Sequence, residues 1–159
     1  MTLVTMFTDA SWNARTNIGV WAMWAKLNGK TIRYSGRIKQ PMPQIGTCEL
    51  TAIANGLFCI KRKFEVPSES RIITQTDSLE AISALKRGQH KRLEDWSLVD
   101  HIKSFVGMNG WVLDLRHVKG HHGAHNKDHS PRHAVNAWCD SECRRLMGIA
   151  LAETTTKAA

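Results

Sequence analysis

Four carboxylates in this chain of 159 residues stand where regular elements should begin or end. Asp9 follows Leu3-Val4-Thr5-Met6-Phe7-Thr8, a nearly continuous apolar and β-branched run that reads as a strand covered on both faces. Glu49 falls in the first turn of an amphipathic helix, Asp77 at a strand-to-helix junction, and Asp140 near the start of the last helix. Singly, each has a plain explanation. Asp9 could open a turn with Ser11, and Glu49 could favour the positive end of its helix. Asp77 could cap a helix with Glu80 as its capping-box partner, and Asp140 could face water. Together they can converge on one edge of a sheet, where α/β proteins place their sites. Four such groups repel by about 1 to 4 kcal/mol per close pair, so the cluster calls for a counter-charge. Two Mg²⁺ ions match it, and oxygen-only ligands suit Mg²⁺ or Mn²⁺ better than zinc. Ions paired about 3.5–4 Å apart support in-line displacement at phosphorus.

The elements that must carry these residues follow from hydrophobic period. Ile18 to Leu27 and Lys30 to Ile38 flank Asn28-Gly29, a strong hairpin signal, so with the first strand they predict an antiparallel meander. Gln40-Pro41-Met42-Pro43 is a connector. From Thr47 onward, Leu50, Ile53, Ala54, Leu57 and Phe58 keep a helical stripe. Arg71 to Thr76 predicts a strand, Asp77 to Glu80 opens a second helix, and Lys86 to Arg92 forms a basic turn. A third helix is expected near Asp95 to Val106, a strand over Trp111 to Val118, and a last helix from about His133 to Leu151. The order β-β-β-α-β-α-α-β-α describes one α/β domain over residues 1–152, with 153–159 a frayed tail.

Length and composition agree with one domain able to bury roughly 70% of its unfolded surface. Lys and Arg number 22 against 14 Asp and Glu, a formal charge of +8, which points to a polyanionic partner, nucleic acid first. With no signal pattern and no apolar run near membrane-spanning length, the expectation is a soluble, cytoplasmic protein without an obligate protein partner, a monomer. The thiols of Cys48, Cys59, Cys139 and Cys143 are then expected to stay reduced.

Five motifs in order, Phe7-Thr8-Asp9-Ala10-Ser11, Cys48-Glu49-Leu50-Thr51-Ala52, Thr76-Asp77-Ser78, Val118-Lys119-Gly120-His121 and Asn136 to Asp140, resemble type 1 ribonuclease H over about residues 3 to 150. The resemblance implies a ribonuclease H-like fold, a five-stranded mixed sheet in the order 3-2-1-4-5 flanked by helices. It implies hydrolysis of the RNA strand of RNA–DNA hybrids to 5′-phosphate and 3′-hydroxyl ends, with Asp9, Glu49, Asp77 and Asp140 holding two Mg²⁺ ions, Mn²⁺ being possible. His121 matches the histidine that moves protons or assists product release, and adjacent His122 could replace it. Nucleic-acid contacts are expected from Ser11, Trp12, Thr47, Ser78, Lys86, Arg87, Lys91, Arg92, Lys119 and Asn136, with Lys61-Arg62-Lys63 as further phosphate contacts. The chain departs from the family at Ala10, where glycine is usual, and at Gln44-Ile45-Gly46-Thr47, where a pair of asparagines is common. Only 43 residues separate Asp77 from His121, leaving little for the separate basic protrusion of some members. Two rivals stay open: a catalytically silent nucleic-acid-binding module, and a nuclease of the same fold acting on another nucleic acid.

The segment 120–143 carries His125 and His129, then Cys139 and Cys143. These are residue types of a structural zinc site. The competing reading places the two cysteines, with Met147, on a buried helical face. Trp12 could stack on nucleic acid or pack. Trp96 is expected to pack at the third helix, and Trp21, Trp24 and Trp111 to lie in the core.

Overall fold

A computed structural model describes residues 1–87, 97–119 and 130–158. Its elements are β1 (Leu3–Asn13), β2 (Ile18–Leu27), β3 (Lys30–Arg37), α1 (Ile45–Lys63), β4 (Arg71–Thr76), α2 (Leu79–Arg87), α3 (Ser97–Met108), β5 (Val112–His117) and α4 (Pro131–Ala158). The five strands form one sheet in the order β3-β2-β1-β4-β5. β1–β2 and β2–β3 are antiparallel, while β1–β4 and β4–β5 are parallel. The hairpin turns where the sequence predicts it, with Asn28 at φ 49 and Gly29 at φ 82, the positive angles that a two-residue turn of this hand requires.

Alternation along β1 divides the core in two. Val4 and Met6 face α1, α2 and α3, joining Met23, Leu50, Ile53, Leu57 and Ile72. Phe7 faces the other way, joining Val20, Ala22, Cys139 and Cys143 beneath α4. Each wholly buried Leu or Ile contributes about 1.5–3 kcal/mol, so the α1 stripe is a major anchor. Phe58, read as part of that stripe, is instead 52% exposed, with the Arg62 guanidinium over its ring. Trp111 is buried, and Trp21 and Trp24 are half-buried against the clusters.

Several boundaries move. Asp9 lies inside β1, whose ladder with β2 continues to Asn13↔Ile18, whereas the ladder with β4 stops at Phe7↔Gln75. β1 and β4 therefore part just before Asp9, and their divergence opens a crevice. α1 begins at Ile45, which puts Glu49 in its second turn, and α4 begins at Pro131, which puts Asp140 in its third. α4 also runs through 153–158, the stretch expected as a frayed tail. There the hydroxyls of Thr154, Thr155 and Thr156 donate to the carbonyls of Ala150, Leu151 and Ala152, and Arg37 reaches Glu153 at 3.9 Å. Asp95 and Trp96 lie outside the described residues.

Candidate metal centre

The crevice brings together three carboxylates from three elements. Asp9 comes from β1, Glu49 from α1 and Asp77 from the turn after β4, and one oxygen of each lies within 4.8 Å of the others. Two local features make this possible. Gly56 lets α1 approach β1 closely: a Cβ there would stand 2.6 Å from the Met6 sulfur. Ser78, not Asp77, caps α2, its Oγ accepting the Ala81 N–H at 3.1 Å, which leaves the Asp77 carboxylate to the crevice.

Electrostatically the group is uncomfortable. Burial, then the charge of Asp77, pushes Asp9 up to about 7 against the opposing hydrogen bond from Ala10 N–H, which Asp9 Oδ1 accepts at 2.9 Å. Burial holds Glu49 well above the usual carboxylate range, with Asp9 and Asp77 adding to it. Asp77 is raised too, again chiefly by burial. Like charges in low dielectric disfavour ionisation. Glu49 Oε2 is moreover a buried acceptor with no hydrogen-bond partner, a state that costs about 1–3 kcal/mol. An oxygen-only donor set, an excess of negative charge and an orphaned buried acceptor fit a hard divalent cation.

Asp140 stands apart. Its Oδ2 pairs with Arg144 at 2.9 Å, one turn along α4, and it is outside the three-residue cluster. It is nonetheless near enough for its charge to raise both Asp9 and Asp77.

The remaining expected site residues are scattered more widely. Ser11 and Trp12 follow Asp9 on β1, and Thr47 lies half-buried in the first turn of α1. Trp12 is tied to the connector, its Nε1 donating to the Met42 carbonyl at 3.0 Å while its ring packs near Ile38, Met42 and Cys48. Ser78 serves as a cap. Lys86 and Arg87 end α2, Lys119 is exposed just beyond β5, and Asn136 is buried one turn before Asp140. Lys91, Arg92, His121 and His122 lie outside the described residues, as do His125 and His129. Lys61, Arg62 and Lys63 occupy the last turn of α1, roughly 20 Å along the helix from Glu49. There they rest over the rings of Trp111, Phe58 and Tyr34.

The cysteines resolve as packing. Cys139 and Cys143 are buried with Phe7, Val20 and Val118, and burial pushes Cys139 up to about 12 and Cys143 higher still. One neighbour of the centre escaped the sequence reading. His117 ends β5 opposite Thr76, and its positive charge favours ionised Asp77. Only the parallel register of β4 and β5 reveals that proximity.

Comparison with known proteins agrees with this geometry. The RNase H family model matches residues 1–146. No curated protein matches the chain. Among solved structures, the N-terminal RNase H domain of Rv2228c from Mycobacterium tuberculosis, a fusion with maltose binding protein, superposes with a TM-score of 0.69 at 12% identity, covering 97% of this chain and 99% of that one. LC11-RNase H1, isolated from compost and solved in complex with an RNA/DNA hybrid, gives 0.67 at 17% identity over 93% and 99%. RNase H1 from the halophilic archaeon Halobacterium salinarum gives 0.65 at 12% identity over 92% and 98%. At these identities the likeness is one of fold.

Proposed function

The chain belongs to the RNase H family, and from that premise we propose that it is a metal-dependent endonuclease hydrolysing the RNA strand of RNA–DNA hybrids to 5′-phosphate and 3′-hydroxyl ends. The observation that carries the proposal is the convergence of Asp9, Glu49 and Asp77 within 4.8 Å, with Glu49 Oε2 buried and unpartnered. A nucleic-acid-binding module needs a basic surface but has no use for three crowded carboxylates that repel one another. Support for the substrate comes from the net charge of +8 and from the RNA/DNA hybrid held by LC11-RNase H1.

In this reading Asp9, Glu49 and Asp77 hold divalent metal, Mg²⁺ or Mn²⁺, with Asp140 as a fourth ligand. Two such ions would supply an activated water and neutralise charge at the leaving oxygen. The chain does the rest. Asp9 and Glu49 are fixed by β1 and α1, so the ligand geometry exists before substrate arrives. Asp77 is the most open of the three. His121 takes the proton-transfer role on family grounds, and His117 is a second imidazole beside Asp77.

The test is cleavage of an end-labelled RNA–DNA hybrid beside matched double-stranded RNA and DNA, with Mg²⁺, Mn²⁺ or EDTA. Metal-dependent cutting of the hybrid's RNA strand is expected. Glu49→Gln should lower the rate at least about 100-fold while keeping hybrid affinity, because it removes a ligand and a negative charge. Native-rate cleavage by Glu49→Gln would sink the metal centre. Cleavage of another substrate alone would overturn the hybrid assignment.

A further inference from the structure

We infer that Arg144 is a built-in stand-in cation that holds Asp140 in reserve, so that the fourth carboxylate joins the centre only when metal competes the guanidinium away. The inference rests on the metal-centre reading and deepens it. Three carboxylates already share one small volume. The fourth sits on α4 three residues before Cys143, whose thiol donates to the Asp9 carbonyl at 3.5 Å, yet its Oδ2 is turned to Arg144 at 2.9 Å. That geometry is local: residues four apart on a helix face the same side, so Arg144 can reach Asp140 without any rearrangement of α4.

Arg144 is a flexible occupant, with its side chain 73% exposed, so releasing Asp140 requires rotamer change and no unfolding. The next residue, Arg145, cannot take over, because its Nε and NH2 are both engaged by Glu142, at 2.9 and 2.7 Å. The consequence is ordered loading. Among the described residues no ion pair is recorded for Asp9, Glu49 or Asp77, whereas an ion that needs Asp140 must displace Arg144. A solvent-exposed ion pair is weak, so the handicap is modest, up to about fivefold in apparent affinity.

Calorimetric titration of Mn²⁺ into the full chain, without nucleic acid and at low salt, tests this directly. The wild type should show a tighter step abolished by Glu49→Gln and a weaker step abolished by Asp140→Asn. Arg144→Met should tighten the weaker step about threefold to fivefold and the tighter step less than twofold. In an Asp140→Asn background, Arg144→Met should leave the remaining step within twofold. Arg145→Met, which removes the same charge one residue away, should move neither step. The inference is overturned if Arg144→Met leaves the weaker step in place, if Arg145→Met shifts it equally, or if wild type and Arg144→Met both show a single step. Mn²⁺ binding that persists unchanged in Glu49→Gln would instead remove the metal centre itself.

Discussion

Asp9 shows how a single residue can be costly to the fold and required by the site. Its carboxyl sits near 7 against an ordinary 3.8, a gap worth roughly 4 kcal/mol. The sign follows from proton counting. Between about pH 4 and 7 the unfolded chain ionises Asp9 while the native state keeps the proton, so the native state binds more protons and stability falls as pH rises. Glu49 and Asp77, also raised, push the same way. In EDTA the Tm should therefore decline from pH 5 to pH 8. Asp9→Asn should flatten the decline and raise the Tm at pH 8 by at least about 4 °C, while abolishing cleavage. A Tm in EDTA that climbs over that range would contradict the assigned burial of these carboxylates. Saturating Mg²⁺ should restore the wild type at pH 8 and leave Asp9→Asn nearly unmoved.

At the scale of elements, the decisive contact is α1 against β1. Glu49 meets Asp9 because the two elements approach at Gly56, where an added Cβ would lie 2.6 Å from the Met6 sulfur and 3.4 Å from Thr8 Cγ2. Alanine would favour the helix by up to about 1 kcal/mol. Met6 is fully buried, so overpacking at about 1–3 kcal/mol should win. Gly56→Ala is expected to lower the urea midpoint of unfolding with an unchanged m-value. A raised midpoint would mean that Met6 finds another rotamer and that the close approach is not under constraint. α4 makes the complementary contribution on the other face. Cys139 and Cys143 pack under Phe7 and Val20, and Cys143 Sγ donates to the Asp9 carbonyl at 3.5 Å, so the helix carrying Asp140 is keyed to the strand carrying Asp9.

For the whole molecule, charge distribution says more than net charge. The +8 excess draws the chain to polyanions, but its cations are not equivalent. Lys86 and Arg87 end the helix that starts beside Asp77, and Lys91 and Arg92 follow in sequence. Lys61, Arg62 and Lys63 stand at the far end of α1 over aromatic rings. Replacing the first four with alanine should weaken hybrid binding and lower the salt slope by roughly 0.9 for each phosphate no longer neutralised. Replacing Lys61, Arg62 and Lys63 should leave that slope unchanged. Equal slopes for the two variants would place the hybrid elsewhere.

The sequence by itself determined whatever depends on local period and turn chemistry. The nearly continuous apolar and β-branched run of Leu3 to Thr8, the Asn28-Gly29 turn and the stripe of Leu50, Ile53 and Leu57 each specify an element without help from distant residues. The resemblance carried by five motifs in order implied the family, and with it the strand order. Boundaries were legible only to within a few residues, because caps such as Ser78 compete with equally good neighbours such as Asp77 for the same role. Tertiary structure alone decided which side chains share a volume. The Asp140 to Arg144 spacing is visible in the sequence, but whether Asp140 turns to Arg144 or to the crevice depends on where α4 lies against β1. The placing of His117 beside Asp77 depends on the register of β4 and β5. Such proximities arise from packing between elements far apart in the chain, and the local preferences that encode the elements carry no record of them.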